Sequence, residues 1–346
     1  MIQNPPDGGT VFPVGGLSVN TDSLVGFDIA PGTGIAYAAM RPVATESRLY
    51  TVDLTTGVVH LDGLIGSGLA VRCLAAAAGP ENVFAVSTGN RLLRFLSSAP
   101  GTIISRVPIS GLQPSETVVG IDFRPSDGRL YAVGSTSRLY RVDPATGAAT
   151  QVGTGPFSTL LSGTDFGVDF NPRPEEDRLR VVSDAEQNLL IDPRDGTVNV
   201  DPNLTPPGHV VAAAHSNNFA GATMTTLYHI DTSLDLLLTQ TPPGSGALSA
   251  VGPLRLNTTA LVGFDIAPNG MAFASLTAPG ASMSGFHTID LSTGTAALLG
   301  AVGGGETIRD VAVRVYAEVI YALTHSGATF PLIAFMPRRR VRSSPP

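Results

Sequence analysis

Four segments of this chain carry an aspartate two residues after a glycine. They are LVGFDIAP (Leu24–Pro31) with Asp28, VVGIDFRP (Val118–Pro125) with Asp122, FGVDFNP (Phe166–Pro172) with Asp169, and an unchanged second LVGFDIAP (Leu261–Pro268) with Asp265. A carboxylate repeated at one structural position has two uses. If the copies converge, their oxygens would ring a divalent cation or hold a polar ligand. If each acts alone, it fastens the turn that follows, because an Asp side chain caps backbone amides. The prolines at Pro31, Pro125, Pro172 and Pro268, each three residues on, mark that turn. The second use is preferred: a feature present in so many units serves the unit before it serves one site.

Other polar groups are weaker candidates. NPRPEEDRLRVVSDAEQN (Asn171–Asn188) gathers Asp177, Arg178, Arg180, Asp184, Glu186 and Gln187. It reads as salt-linked loops in preference to a binding face. Asn217 and Asn218 in HSNNFAGAT could hold a ligand, but Asn favours turns in any case. His209, His215 and His229 share one unit without metal-ligand spacing, so no zinc site is expected. There is no G-x-S-x-G elbow, P-loop, dinucleotide fingerprint or H-E-x-x-H. No catalytic residue is therefore assigned. An enzyme stays open all the same, because propeller enzymes assemble sites from residues far apart in sequence.

Composition narrows the class. The 346 residues are 43% hydrophobic and 14% charged, which suits a globular chain with a large core. All 21 basic residues are arginine, and the net charge of −7 argues against a nucleic-acid partner. The single cysteine, Cys73 in LAVRCLAAAA, excludes an internal disulfide and is expected to be a buried, inert thiol. No apolar run approaches the roughly 18 residues of a membrane helix. MIQNPPDGGT shows neither the basic nor the apolar region of a signal peptide. PRRRVR near the C-terminus reads as a solvated basic tail (337–346).

The elements that must carry these residues are strands. After each G-x-D segment comes a β-rich run (GIAYAAM, RLYAVGS, RLRVVSD, MAFASLT), then a second (LYTVDLTTG, LYRVDPATG, LLIDPRDG, FHTIDLSTG), then a short closing strand. The runs alternate, or stay apolar, over four to seven residues, which is strand patterning. D-x-x-T-G at Asp53–Gly57, Asp143–Gly147 and Asp290–Gly294 falls between runs. It predicts hairpin loops with glycine at positive φ, since a calcium loop needs more oxygen ligands. Unit starts near 24, 69, 117, 165, 209, 260 and 307 give spacings of 44–51 residues. Seven four-stranded antiparallel units of that length predict an all-β, seven-bladed β-propeller, one domain over residues 1–336. Gly9–Pro31 also aligns without gaps to Gly246–Pro268, with 14 of 23 positions identical. Val11, Phe12, Pro13 and Val14 thus match an outermost strand with no unit before it. They are expected to close the last blade, or to pair with another copy and so drive self-association.

ETVVGIDFRPSDGRLYAVGSTSRLYRVDPATGAATQVGTGPF, followed by SGTDFGVDFNP, DRLRVVSDAEQNLLIDP and NNFAGATMTTLYHID, resembles the bacterial DUF4394 family over roughly Leu69 to Ala312. The resemblance implies a propeller and an exported protein, and supplies no catalytic residue. The expected function is a noncatalytic extracellular or cell-surface scaffold for binding, display or self-assembly. No cofactor is assigned. The alternative is a hydrolase or lyase with a divalent cation in the central channel between Asp122 and Asp169.

Overall fold

The computed structural model describes residues 2–3, 11–23, 25–30, 34–43, 46–66, 70–77, 79–314, 319–325 and 332–335. The N-terminal NPPDGG and the basic tail lie outside them. About half of the described residues are strand, and the one helical element among them is a short 3-10 turn at Pro174–Glu176. No helix is long and apolar enough to cross a membrane. Six four-stranded antiparallel sheets and one three-stranded sheet account for nearly every strand. The fold is all-β and propeller-like. By its contacts the chain divides into two compact units, Pro80–Val315 and Met1–Gly79 with Tyr316–Pro346.

The unit Pro80–Val315 holds five four-stranded sheets. Four are simple meanders that begin at their inner strands, Val118–Phe123, Phe166–Phe170, Val210–His215 and Val262–Ile266. The fifth is built from Asn82–Ser87, Arg91–Leu96 and Ser105–Pro108, and takes its inner strand, Ile308–Arg314, from far along the chain. Each inner strand packs on the next, and Ile308–Arg314 packs on both Val118–Phe123 and Val262–Ile266, so the five form a closed cycle. Each neighbouring pair of sheets buries its own apolar cluster. Phe84 and Phe123 meet edge-on at 5.2 Å in one, Tyr131 and Phe170 at 5.1 Å in the next, and Phe95 and Phe286 at 5.1 Å where the last sheet meets the first. The inner strands are buried on both faces, so they read as continuous apolar runs. Closing strands such as Ser105–Pro108 alternate between half-buried and exposed residues because only one face packs.

The other unit has the four-stranded sheet Gly26–Ile29, Ala36–Val43, Glu46–Val52 and Val59–Leu64. Its second sheet is three-stranded, in the order Leu332–Phe335, Val319–His325 and Ala70–Ala77.

This pairing departs from the seven-bladed expectation at two places. The inner strands of the second and seventh repeat units are exchanged: Ile308–Arg314 pairs with Asn82–Ser87, and Ala70–Ala77 pairs with Val319–His325. Both segments are short, apolar and antiparallel, so strand patterning permits either partner; packing decides. Ile308, Val311, Ala312 and Val313 are all buried in the ring, and Asp310 bonds the amide of Ile121 at 2.8 Å. Ala70–Ala77 has Cys73 at the register position where Ile308–Arg314 has Asp310, so in the ring it would leave the Ile121 amide without that acceptor. Cys73 is an exposed thiol, not the buried one its apolar neighbours suggest. Secondly, Val11–Phe12 pairs with Ile2–Gln3, not with Leu332–Phe335, and Pro13 and Val14 are in no strand. A local partner a few residues away costs little loop-closure entropy.

The hairpin expectation holds. In Asp53–Gly57, Asp143–Gly147 and Asp290–Gly294 the Asp Oδ1 accepts the amide two residues on at 2.8 Å. The closing glycines sit at φ of 78°, 77° and 80°. Asp192–Gly196 uses the same device, with φ of 79° at Gly196.

Candidate functional site

Three of the four repeated aspartates meet at the centre of the five-sheet ring. Asp122, Asp169 and Asp265 stand on three different inner strands, each 1% exposed, and one oxygen from each lies within 4.8 Å of the others. Asp28 does not join them. It belongs to the other unit, is half-exposed, and bonds the amides of Ile29 at 2.9 Å and Ala76 at 2.8 Å.

Glycine and aspartate in G-x-D have linked jobs. A Cβ at Gly167 would collide with the backbone of Ala212 and Ala213, and one at Gly263 with that of Asp310 and Val311. Only glycine lets neighbouring inner strands come this close. The aspartate then reaches the strand thus admitted. Asp122 Oδ2 accepts the Phe170 amide at 2.7 Å, Asp169 Oδ2 the His215 amide at 2.8 Å, and Asp265 Oδ2 the Val313 amide at 2.6 Å. The preferred expectation, that these aspartates fasten the turn ahead of them, is corrected in this detail. They fasten one sheet to the next. The turns are held by residues closer by: Asp127 Oδ1 accepts the Arg129 amide at 3.0 Å, and Asn171 Oδ1 the Arg173 amide at 3.0 Å.

Three further residues belong to the site. Asp310, 3% exposed, closes the cycle by bonding Ile121. Val210–His215 has no aspartate, and Asn218 just beyond it donates to Asp265 Oδ1 at 3.2 Å instead. The His215 ring bonds Asp169 Oδ2 through Nδ1. Asp169 Oδ1 and His215 Nε2 are buried with no hydrogen-bond partner among the described residues. Asp310 was not legible as a site residue, because IRDVAVR has its aspartate where the other strands have glycine. Asn218 was visible only as a turn-type residue.

Burial governs the electrostatics. Desolvation, reinforced by the neighbouring carboxylates, holds Asp122 and Asp169 well above the usual carboxylate range. Desolvation raises Asp310 likewise and pushes Asp265 up to about 7. Burial also drives His215 well below its ordinary value, so its ring is no reliable counter-charge. Arg180, opposite Asp169 across the strand pair, turns its guanidinium to Asn188 and Asp201, both at 2.6 Å.

The polar segment Asn171–Asn188 is a salt-linked loop region. Arg124 pairs with Asp177, Arg173 with Glu176 at 2.8 Å, and Arg178 with Asp192 at 3.2 Å. His209 lies 3.5 Å from Asp184, and His229 bonds Gln240 at 2.9 Å, so the three histidines of this unit have separate partners. An open cleft of about 640 Å³ lies beside the Val118–Val152 sheet, lined by Arg129, Arg141 and Arg314 together with Asp127 and Asp143. Asp127 is engaged by Arg124 at 3.1 Å and Asp143 by its own loop amide.

Among solved structures, the chain is similar to a protein of unknown function from Bacteroides thetaiotaomicron, at 13% identity over 90% of this chain and 93% of that one, with a TM-score of 0.48. A protein of unknown function from Bacteroides caccae aligns at 11% identity over 79% and 98%, TM-score 0.42. A putative 6-phosphogluconolactonase from Bacteroides fragilis aligns at 15% over 88% and 90%, TM-score 0.35. No curated protein is significantly similar in sequence. The profile of DUF4394, a domain of unknown function, matches residues 1–75 and 91–312, and the chain belongs to that family.

Proposed function

We propose that this chain is a noncatalytic binding scaffold that presents the arginine cleft to a small anionic ligand. One observation carries the reading: Arg129, Arg141 and Arg314 all line a single open cleft, where Asp127 is paired with Arg124 and Asp143 accepts a loop amide. Guanidinium groups hold carboxylate and phosphate oxygens through paired N–H donors. Asp122, Asp169 and Asp265 support the noncatalytic part, since each fastens one sheet to the next and is too buried to meet a substrate. The exported habit of the family supports a setting outside the cytoplasm, at the cell surface or beyond it.

The test is calorimetric titration of the full-length protein with inorganic phosphate and with oligogalacturonate, beside the Arg129→Gln/Arg141→Gln double variant. Saturable binding by one of these probes that weakens at least about tenfold in the variant upholds the reading. Binding that the variant leaves unchanged, or no binding of either probe, overturns it.

A second reading, self-association, is favoured by an open edge. Leu332–Phe335 has one sheet partner among the described residues, and Leu332 is 67% exposed. A strand such as Val11–Phe12 of another copy would add there. Light scattering across a range of concentrations decides: an oligomer that deleting residues 1–16 dissolves supports it, and a monomer throughout excludes it.

A further inference from the structure

The centre of the ring gathers more buried carboxyl groups than its surroundings satisfy. Oxygens of Asp122, Asp169 and Asp265 lie within 4.8 Å of one another. Three points so spaced share a centre no more than about 2.8 Å from each; Ca–O bonds run about 2.3–2.6 Å and Mg–O bonds about 2.1 Å. The triangle thus suits the larger ion with a small inward movement. Its donors are hard carboxylate oxygens, the type that calcium takes.

Two observations besides the spacing of these oxygens point to a ligand. The first is Asp169, which is 1% exposed yet has Oδ1 without any donor among the described residues. A buried polar atom left so costs about 1–3 kcal/mol, more when charged. The second is the kind of partner the other carboxylates have. Asp122 takes the amides of Phe123 at 2.6 Å and Phe170 at 2.7 Å. Asp265 takes those of Ile266 and Val313, both at 2.6 Å, and the Asn218 side chain. These are all donors and suit ionised oxygens, whereas burial and mutual repulsion favour the protonated form; a cation bound in place of the protons reconciles the two. Ionised carboxylates packed together and dry need a cation. The nearby protein cation, Arg180, is bonded to Asn188 and Asp201.

We propose that the axis of the five-sheet ring binds one divalent cation of the calcium class through Asp122, Asp169 and Asp265. The cation gives Asp169 Oδ1 its partner and supplies the missing positive charge. Its role is to lock three inner strands together. This site is independent of the arginine cleft, and either can fail without the other.

The test uses full-length protein stripped with EDTA and titrated with CaCl₂, and separately with MgCl₂, by calorimetry, with thermal unfolding followed in parallel. The expected result is saturable uptake of about one Ca²⁺ per chain, weaker Mg²⁺ binding, and an unfolding temperature that rises with Ca²⁺. Asp169→Asn should weaken Ca²⁺ binding at least about tenfold, and Asp195→Asn in an exposed loop should not. If Asp169→Asn does not fold, the wild-type titration decides alone. No saturable Ca²⁺ uptake by the folded protein overturns the proposal, as does a folded Asp169→Asn that binds as tightly as wild type.

Discussion

The two copies of LVGFDIAP are a built-in experiment, because the same eight residues sit in different surroundings. Phe264 is 1% exposed, within the cluster formed with Val211, Ile230 and Leu276, whereas Phe27 is 50% exposed. A buried phenylalanine removes roughly 150–250 Å² from water, worth about 4–6 kcal/mol at about 25 cal/mol/Å². Measured Phe→Ala losses in cores are about 3–5 kcal/mol, and that range is expected for Phe264→Ala. For Phe27→Ala about half of the transfer is already absent and solvent fills the space, so the loss should be about 1–2 kcal/mol. Guanidinium unfolding of the full chain, followed by far-UV circular dichroism and tyrosine fluorescence, measures both; the 7 tyrosines and absence of tryptophan make the second signal clean. Equal losses would refute the reasoning, for they would mean that both copies occupy equivalent inner-strand positions, as in a ring of seven like blades. The same curves test the expectation of one cooperative domain. A single transition upholds it, and two resolved transitions separate Pro80–Val315 from the remainder.

Three other outcomes follow from the packing. The exchanged inner strands predict that Ser87→Cys/Ile308→Cys, in a Cys73→Ser background, forms a disulfide under mild oxidation, since these residues face each other in register; mass spectrometry finding no such link counts against the pairing. Gly167→Ala forces a Cβ onto the backbone of Ala212 and should cost about 1–3 kcal/mol or more, while Gly155→Ala, with nothing within 4 Å, should stay within about 0.5 kcal/mol; similar unfolding midpoints for the two would contradict the close approach. Burial pushes Glu81 up to about 7 from 4.5, so its folded form binds the proton more tightly than the unfolded chain. Stability from this group is full below about pH 4.5 and is lost as pH rises to about 7. Glu81→Gln keeps an acceptor for Asn269 and should gain about 2–3 kcal/mol at pH 8 and almost nothing at pH 4; a gain that does not change with pH would rule out ionisation as its cause.

Much of the architecture was legible because strand patterning is local. Runs such as RLYAVGS and RLYRVDP, with D-x-x-T-G between strands, specify a meander from neighbours a few residues apart, and those meanders form as expected. Ring closure is not local. Ile308–Arg314 and Ala70–Ala77 carry interchangeable strand signals, and what distinguishes them is Asp310, bonded to Ile121 across the ring, where the other strand has Cys73. The repeat pattern alone cannot reveal that choice, because both repeats present the same strand signal.

The candidate site divides along the same line. G-x-D marked Asp122, Asp169 and Asp265 because each unit repeats the same chemistry: a glycine that admits the next strand and a carboxylate that bonds it. The identical motif at Asp28 does the same job between Gly26–Ile29 and Ala70–Ala77, yet it reaches no carboxylate cluster. The motif therefore encodes the fastening of one sheet to the next, and a shared centre arises only where several fastenings close on themselves. Asp310 makes the distinction concrete. It stands two positions from where the motif places its aspartate and bonds a residue correspondingly earlier in the next strand, so the fastening survives although the motif is gone. What repeats through the ring is a hydrogen bond between neighbouring inner strands, and the gathering of carboxyl groups at the axis is the consequence of repeating it in a circle.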